Sequence, residues 1–402
     1  MNKKNTHIAW ALILLGFIIR LAHVQFFHPI HLSLYSDMGN YVSVADMILK
    51  NDWRVTHFFQ PIGFPYLLTI LKTYTTNWTA MLGWIHILTS TLSLYCIWKL
   101  TKEMLSEKMS LVVLGISAIH LPWIIFTGFA LTENLFIFFL SALAWMSPKL
   151  WREEKLRYAG FWALLFLMAF LMKGTHIFLA PLVVITLLFN RSRTASSKAV
   201  IITFIIALGL LGHGLLTQSK IGRFQMSASA GGLNFVEGKC PIKNNADSAG
   251  YSWFSPLYFQ LGLNQKKHWD HPFTDSKYFM QEGFKCIKNN PLVLIQSLEG
   301  IPFLFTGNTL WPANQLKLAP LLRFYELFFA IFCFVGLIVY ARFFMKTKKN
   351  NQDFFVWVLP VLSLFVCVYI FKSEIRFRIP FDLWIIPVAV KGWFKLWSSK
   401  II

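Results

Sequence analysis

The chain contains few charged residues, and acidic residues are the scarcest of them. Asp, Glu, Lys and Arg together make up 14% of its 402 residues, whereas a soluble globular domain carries about 25%. Hydrophobic residues reach 56%, with 40 Phe and 16 Trp among them. The shortage of charge excludes an ordinary soluble domain. It predicts a polytopic membrane protein in which aromatic residues face lipid and the membrane interfaces.

Sequence motifs for nucleotide binding and for common hydrolytic chemistry are also missing. We find no P-loop, no dinucleotide-binding glycine fingerprint and no Ser–His–Asp arrangement. No CxxC or His/Cys spacing indicates zinc, so we predict neither a required metal nor a cofactor. The lack of a nucleotide-binding domain favours a lipid-linked substrate that arrives within the membrane. We also detect no internal repeat of the kind that many transporters have.

The five cysteines fall into two groups. Cys96, Cys333 and Cys367 lie within hydrophobic segments, where free cysteines behave as ordinary core residues. Cys240 and Cys286 lie in one long polar segment. They would form a disulfide in an oxidising compartment, and two unpaired thiols are an equal alternative.

About ten hydrophobic segments are each long enough to cross a bilayer core of about 30 Å. Their predicted positions are 8–27, 78–98, 110–126, 129–146, 158–172, 177–189, 199–216, 321–339, 354–371 and 379–393. No small-residue cleavage site follows the first segment, which therefore predicts an uncleaved anchor. We expect an all-α bundle with an N-terminal membrane module (1–216), a long loop (217–320) and C-terminal membrane helices (321–402).

The net charge of +20 is explained by the membrane, and we predict no nucleic-acid partner. With ten spans, the short basic loops all fall on one side, which the positive-inside rule makes cytoplasmic. The first loop (28–77) and the long loop then lie outside. We therefore predict a bacterial inner-membrane protein whose active site faces the periplasm. An eleventh span over 291–305 is an alternative, but it would place the basic KTKKN loop outside.

The long loop combines Gly, Ser, Asn and Lys with many aromatic residues. An amphipathic helix is predicted over 275–288, with Thr274 or Ser276 as its N-terminal cap. The apolar stretch 290–312 predicts a second helix, which lies on the membrane or dips into it.

One acid follows the first hydrophobic helix closely, in the segment SDMGNY. This is Asp37, and after it come an amphipathic helix over 38–49 and the turn HFFQPIGFPYLL. A carboxylate so close to the membrane is costly unless something uses it. The pattern therefore predicts a functional acid, with a structural cap for the following helix as the alternative.

Two further ionisable residues stand at the predicted outer ends of membrane spans. Glu133, in GFALTENLF, heads the fourth span; the alternative to a functional role is a favourable charge at a helix N-terminus. Lys173, in LMKGTH, follows the fifth span, where snorkelling to the interface is the alternative to a phosphate contact. His176 nearby is predicted to be a packing residue.

The segment KSEIRFRIPFD lies between the last two predicted spans. Its Arg376 and Arg378 are positive residues on the outer face, against the usual distribution of charge. Two guanidinium groups can hold a phosphate through bidentate hydrogen bonds. We therefore predict a phosphate site, with ion pairs to Glu374 or Asp382 as the alternative.

Taken together, the Asp37 loop, the TEN segment and the RFRIP turn resemble the GT-C superfamily, the integral-membrane glycosyltransferases that use polyprenyl-phosphate sugars. The likeness is greatest to the branch of the protein O-mannosyltransferases and lipid A aminoarabinose transferases. It implies that Asp37 is the catalytic base and that Glu133 is a second active-site carboxylate. The donor phosphate would be bound by Arg376, Arg378 and Lys173. We also expect Tyr41, His57 and Gln60 to line the same cavity.

This resemblance predicts that a sugar is moved from a polyprenyl-phosphate donor to a lipid, glycan or protein acceptor. Protein O-mannosyltransferases typically carry paired acids in the first loop, whereas Met38 follows Asp37 here, so a lipid or glycan acceptor is at least as well supported as a protein. Two alternatives are a transporter or flippase for a lipid-linked saccharide and an O-antigen polymerase or ligase. The charges gather at one membrane face, which favours a transferase over a transporter.

Overall fold

The computed structural model describes residues 3–190, 192–240, 252–253, 272, 274–306, 319–346 and 351–398. Within these ranges the chain is almost entirely helical, which confirms the predicted all-α class. Residues 347–350 of the KTKKN loop and most of the aromatic-rich stretch 241–271 lie outside the described residues.

The first half of the chain forms ten helices in the order expected from its hydrophobic segments. They are α1 (Lys3–Ala22), α2 (Asp37–Leu49), α3 (Gly63–Tyr74), α4 (Trp78–Met104), α5 (Glu107–Ala118), α6 (Leu121–Ile125), α7 (Glu133–Arg152), α8 (Arg157–Met172), α9 (Leu179–Phe189) and α10 (Arg193–Ile221). The helix α2 lies within the first loop, as the amphipathic pattern predicts, and begins at Asp37 itself.

The second half contains shorter elements and then three long helical stretches. Its helices are α11 (Ala230–Lys239), α12 (Ser276–Asn289), α13 (Val293–Gln296), α14 (Gly300–Thr306), α15 (Ala319–Lys346), α16 (Asn351–Asp353), α17 (Leu359–Ile370), α18 (Ile375–Arg378) and α19 (Asp382–Ser398). Two short strands, β1 (Ser252–Trp253) and β2 (Ser373–Glu374), pair in antiparallel register. This pairing joins the long loop to the segment that carries both arginines.

The chain is an integral membrane protein, as its apolar helices indicate. Four described helices are long and apolar enough to cross a membrane: Lys3–Phe27, Trp78–Met104, Arg193–Ile221 and Pro320–Met345. A bent pair, Glu107–Ala118 with Leu121–Gly128, would make a fifth, and shorter apolar helices accompany them. The count of ten spans stays a prediction.

The segment predicted as one span over 110–126 is two helices. The axis bends by 47° between α5 and α6. Pro122 stands in the first turn of α6, and because proline has no amide hydrogen, the helix cannot continue through this point with its hydrogen bonds intact. The chain then turns through Phe126–Gly128, which places the start of α7 beside the first loop.

The long loop is anchored to itself and to the membrane helices. Cys240 and Cys286 form a disulfide between α11 and the end of α12. The helix predicted over 275–288 is present, but its cap is Asp275, whose side chain accepts a hydrogen bond from the Tyr278 amide at 3.1 Å. The predicted helix over 290–312 is, in its described part, a broken run of α13, a 3-10 turn and α14.

The helices α15 and α19 pack closely against each other, with two glycines at the contact. A side chain at Gly336 would come within 2.6 Å of the Ala389 backbone, and one at Gly392 would collide with Gly336. Small residues allow membrane helices to approach this closely. This contact fixes α19 and with it the arginine-bearing turn that precedes it.

Candidate functional site

A cavity of about 440 Å³ lies where the first loop, the long loop and several helix ends meet. Its wall combines the start of α2, the start of α7, the end of α8, part of α11 and the stretch 371–377. Six of the eight residues predicted for the site line it: Asp37, Tyr41, Gln60, Glu133, Lys173 and Arg376. Residues separated by more than 300 positions are thus brought to one surface.

Asp37 and Arg376 form an ion pair in the cavity wall. The Arg376 Nη1 donates to the Asp37 Oδ2 at 3.1 Å, and the two side chains are 19% and 23% exposed. Ser36, directly before the acid, has a φ of +51°, a conformation that is unfavourable for a residue other than glycine. Backbone strain of this kind is found where a functional side chain must be held in position.

Glu133 and Lys173 form a second ion pair in the same wall. The Lys173 Nζ donates to the Glu133 Oε1 at 2.7 Å, with the carboxylate 2% exposed and the ammonium 12%. Glu133 is the first residue of α7, so it also lies where a helix N-terminus favours negative charge. The Lys173 ammonium lies 5.4 Å from the centre of the Phe377 ring, which holds the cation at the cavity surface.

Two residues that the sequence analysis did not assign to the site, Lys372 and Glu374, also line the cavity. The Lys372 Nζ is 2.9 Å from the Glu237 Oε2 and 3.1 Å from the Glu374 Oε1. The second Glu374 oxygen accepts from the Arg376 Nε at 2.9 Å. The result is a row of alternating charges that runs from Glu237 on α11 to Asp37 on α2.

A signal for this row was present in the sequence. Lys372, Glu374 and Arg376 are spaced two apart with alternating sign. In extended backbone, residues two apart project from the same side, which applies to Lys372 and Glu374 at β2, whereas Arg376 already lies in α18. Glu237 carries no such signal, because its partner lies in a distant part of the chain.

Three neighbouring residues of the row, Lys372, Glu374 and Arg376, favour their charged forms, whereas burial raises the pKa of Glu237. Burial alone would raise the pKa of Glu374, but the positive charges of Lys372 and Arg376 outweigh burial and lower this pKa to about 2. Burial would lower the pKa of Lys372, yet the carboxylates of Glu237 and Glu374 raise it above its ordinary value. The pKa of Arg376 is likewise raised by its acidic neighbours in spite of burial. The cavity therefore presents fixed charges of both signs.

Arg378 does not reach the cavity. It is fully buried, and it donates to the Glu326 Oε2 at 2.6 Å and to the Leu304 carbonyl at 3.2 Å. Its Nε lies 3.1 Å from the Asp382 Oδ1, and the second Asp382 oxygen lies 3.0 Å from the His120 Nε2. For Arg378, the sequence left open an ion pair with Asp382 as the alternative to phosphate binding. The structure contains this ion pair.

His57 also lies apart from the cavity. Its side chain is buried, its Nδ1 accepts from the Arg54 amide at 3.3 Å, and its Nε2 lies 3.3 Å from the Met47 sulfur. These contacts close the turn after α2, so the histidine stabilises the first loop. His176 is buried as well, with its Nε2 3.1 Å from the Phe166 carbonyl. Over the described residues, no group of three or more His, Cys, Asp or Glu side chains is arranged to hold a metal ion.

The family model for dolichyl-phosphate-mannose-protein mannosyltransferase matches residues 60–213 of this chain. The matched part contains Glu133 and Lys173, whereas Asp37 and Arg376 lie outside it. No curated protein matches.

Two solved structures from Archaeoglobus fulgidus share the fold. One is an oligosaccharyltransferase tethered to an acceptor peptide, with 13% identity, a TM-score of 0.51, and coverage of 97% of this chain and 50% of that chain. The other is the oligosaccharyltransferase AglB in complex with an inhibitory peptide and a dolichol-phosphate, with 12% identity, a TM-score of 0.53, and coverage of 99% and 51%. The chain thus spans about half the length of the structures it matches. The fold and the family match confirm the predicted resemblance to the GT-C superfamily.

Proposed function

We propose that this GT-C-like chain is a glycosyltransferase that takes a sugar from a polyprenyl-phosphate donor at the outer face of the membrane. The observation that carries the proposal is the Asp37–Arg376 ion pair in the wall of the cavity. It places a carboxylate that can accept a proton beside a guanidinium that can hold a phosphate. Lys173, on the same wall, supplies a second cation.

The chemistry that fits this geometry is a single displacement with inversion. Asp37 accepts the proton of the acceptor hydroxyl, and the hydroxyl oxygen forms a bond to the anomeric carbon of the sugar. The bond between that carbon and the phosphate oxygen breaks, and the electron pair stays on the phosphate. Arg376 and Lys173 stabilise the charge that develops there, because cations aimed at a leaving group are most effective in a site of low polarity.

Lys372 extends the cationic surface beyond the predicted residues. Its ammonium is 17% exposed, whereas its partner Glu374 is 9% exposed. Lys372 is thus the more accessible member of this pair. We therefore propose that Lys372, and not Arg378, binds the donor phosphate together with Arg376 and Lys173.

The comparisons support a lipid-phosphate-linked donor, and the matched family's own name refers to mannose. The matching family is described by a dolichyl-phosphate-linked mannose, and one matching structure contains a dolichol-phosphate. The cavity volume of about 440 Å³ is in the range of small-molecule sites, about 300–1,000 Å³. It suits a sugar-phosphate head group whose lipid chain remains in the membrane. For the acceptor, we retain a lipid, a glycan or a protein.

Two measurements test this function. Mass spectrometry of lipids and surface glycans from cells with and without the gene should reveal one sugar whose attachment depends on the chain. When the deletion is complemented with the Asp37→Asn variant, the protein should still insert into the membrane. Transfer should fall by at least roughly a hundredfold, as expected for loss of a general base. The matched control is Asp46→Asn on the same helix, because Asp46 pairs with Lys72 away from the cavity. Transfer near the wild-type rate by Asp37→Asn would overturn the mechanism.

A further inference from the structure

One guanidinium serves two carboxylates in this site, and they differ in accessibility. Arg376 donates through Nε to Glu374 and through Nη1 to Asp37. Glu374 is 9% exposed and is also held by Lys372. Asp37 is 23% exposed, which makes it the more open of the two partners. An anion that enters the cavity therefore meets Arg376 on the side of Asp37.

Among the described residues, Arg376 is the cation that lies within ion-pair distance of Asp37. Glu133 has Lys173 as its own partner, and Glu374 has two cations. If the donor phosphate binds Arg376, Asp37 is the carboxylate that loses most of the positive charge that stabilises it. This effect strengthens Asp37 as a base once the donor is in place.

In the proposed reaction, negative charge is lost at Asp37 and gained on the donor phosphate. Asp37 begins as a carboxylate and becomes neutral when it accepts the proton of the acceptor hydroxyl. The donor is a phosphodiester with one negative charge, and the released polyprenyl phosphate is a monoester that carries about one further charge near neutral pH. The charge lost at Asp37 thus reappears on the phosphate, and the total in the cavity is unchanged.

A planar guanidinium is suited to stand between these two positions. Its five N–H groups point outward in one plane and can face several acceptors at once. An ammonium group is a compact point charge and lacks that fork. Arg376 can therefore stabilise Asp37 before transfer and the phosphate after it without moving.

We infer that Asp37 and the donor phosphate compete for Arg376, and that Arg376 changes its principal partner from the carboxylate to the phosphate as the sugar is transferred. This inference rests on the proposed function. It has an unexpected consequence, because the residue that acts as base also weakens the binding of the lipid phosphate. Removing the charge of Asp37 should therefore tighten binding while it abolishes transfer.

The test is a binding titration of the purified full-length chain in detergent with a polyprenyl phosphate, the product monoester. We expect Asp37→Asn to bind this lipid roughly tenfold more tightly than the wild type, and Arg376→Gln to bind it roughly ten- to a hundredfold more weakly. In the Arg376→Gln background, Asp37→Asn should have little further effect, which a double-mutant cycle measures. Arg376→Lys should keep part of the affinity and show a smaller response to Asp37→Asn. The control Asp46→Asn should bind as the wild type does.

The possible outcomes separate the inference from the function. No binding of polyprenyl phosphate by the wild type would contradict the proposed function itself. Binding that depends on Arg376, with the same affinity in wild type and Asp37→Asn, would overturn the competition and leave the function standing. Equal tightening by Asp37→Asn in the Arg376→Gln background would also overturn it, because the effect would then be general charge repulsion. Arg376→Lys and Asp37→Asn are conservative substitutions, and monodisperse preparations of both variants exclude a folding defect as the explanation.

Discussion

Lys372 forms an ion pair with Glu237 at 2.9 Å, which joins the long loop to the turn that carries Arg376. The backbone reinforces this contact, because the Lys372 amide donates to the Asn234 carbonyl at 3.1 Å. Gly238 lies so close to Phe371 that an added side chain would come within 2.7 Å of its backbone. The long loop is therefore part of the scaffold of the phosphate site, as well as a cover for the cavity.

Glu237→Gln should lower activity by about tenfold and weaken the binding of polyprenyl phosphate. The reason is that Lys372 and Glu374 lose the anchor that holds their end of the charge row, and one charge-assisted hydrogen bond contributes about 1.5–3 kcal/mol. Steady-state kinetics with separate kcat and KM values measure the effect, and Glu237→Asp should restore part of it. The control is Glu282→Gln, because Glu282 pairs with Lys285 on the surface of α12. Identical behaviour of the two Gln variants would show that Glu237 has no role in the site.

Arg378→Met should impair stability rather than donor binding. Removing this guanidinium leaves Glu326 and Asp382 as buried acids without their cation, a loss of about 3–5 kcal/mol for a broken buried pair. Thermal unfolding in detergent should show a markedly lower midpoint than for Arg376→Met, whose side chain faces the cavity. A well-folded Arg378→Met protein that fails to bind polyprenyl phosphate would return Arg378 to the phosphate site.

Lys239 should make stability depend on pH in the alkaline range. Its ammonium is buried, it bonds to the Ser297 hydroxyl and the Tyr369 carbonyl, and burial lowers its pKa to about 8. In the unfolded chain its pKa would return to about 10.4. Between these values the unfolded state binds more protons, so this group makes stability rise with pH across the window and contributes no slope below it. Unfolding measured from pH 7 to 10 should show a rise in the wild type that is smaller in Lys239→Met; equal slopes would contradict the assignment.

Cysteine labelling tests the predicted orientation. Cysteines at the exposed positions Ser36 and Lys277 should react with an impermeant thiol reagent added from outside. Those at the exposed positions Ser106 and Ser192, in short loops predicted to be cytoplasmic, should react only after the membrane is permeabilised. Thr347→Cys distinguishes ten spans from eleven, because the eleven-span arrangement puts the KTKKN loop outside. Labelling of Thr347→Cys from outside would therefore contradict the ten-span prediction.

Features that depend on neighbouring residues in the chain could be predicted from the sequence. The helix expected over 158–172 is Arg157–Met172, and the amphipathic helix expected over 275–288 is Ser276–Asn289. Hydrophobic runs and amphipathic spacing fix such helices locally, because each residue's environment repeats along the helix. The sequence also shows directly that an acid, Asp37, follows the first helix and that two cations, Arg376 and Arg378, precede the last one.

The tertiary structure determines which of these charged residues form ion pairs with each other. Arg376 and Arg378 are two residues apart and look equivalent in the sequence, yet one faces Asp37 in the cavity and the other pairs with Glu326 in the core. The difference arises because β2 gives way to α18 between Glu374 and Ile375, and the direction of each side chain follows from that change. The partners lie 339 and 52 positions away. Local sequence sets the charge of a residue, whereas its partner is set by the packing of helices that are distant in the chain.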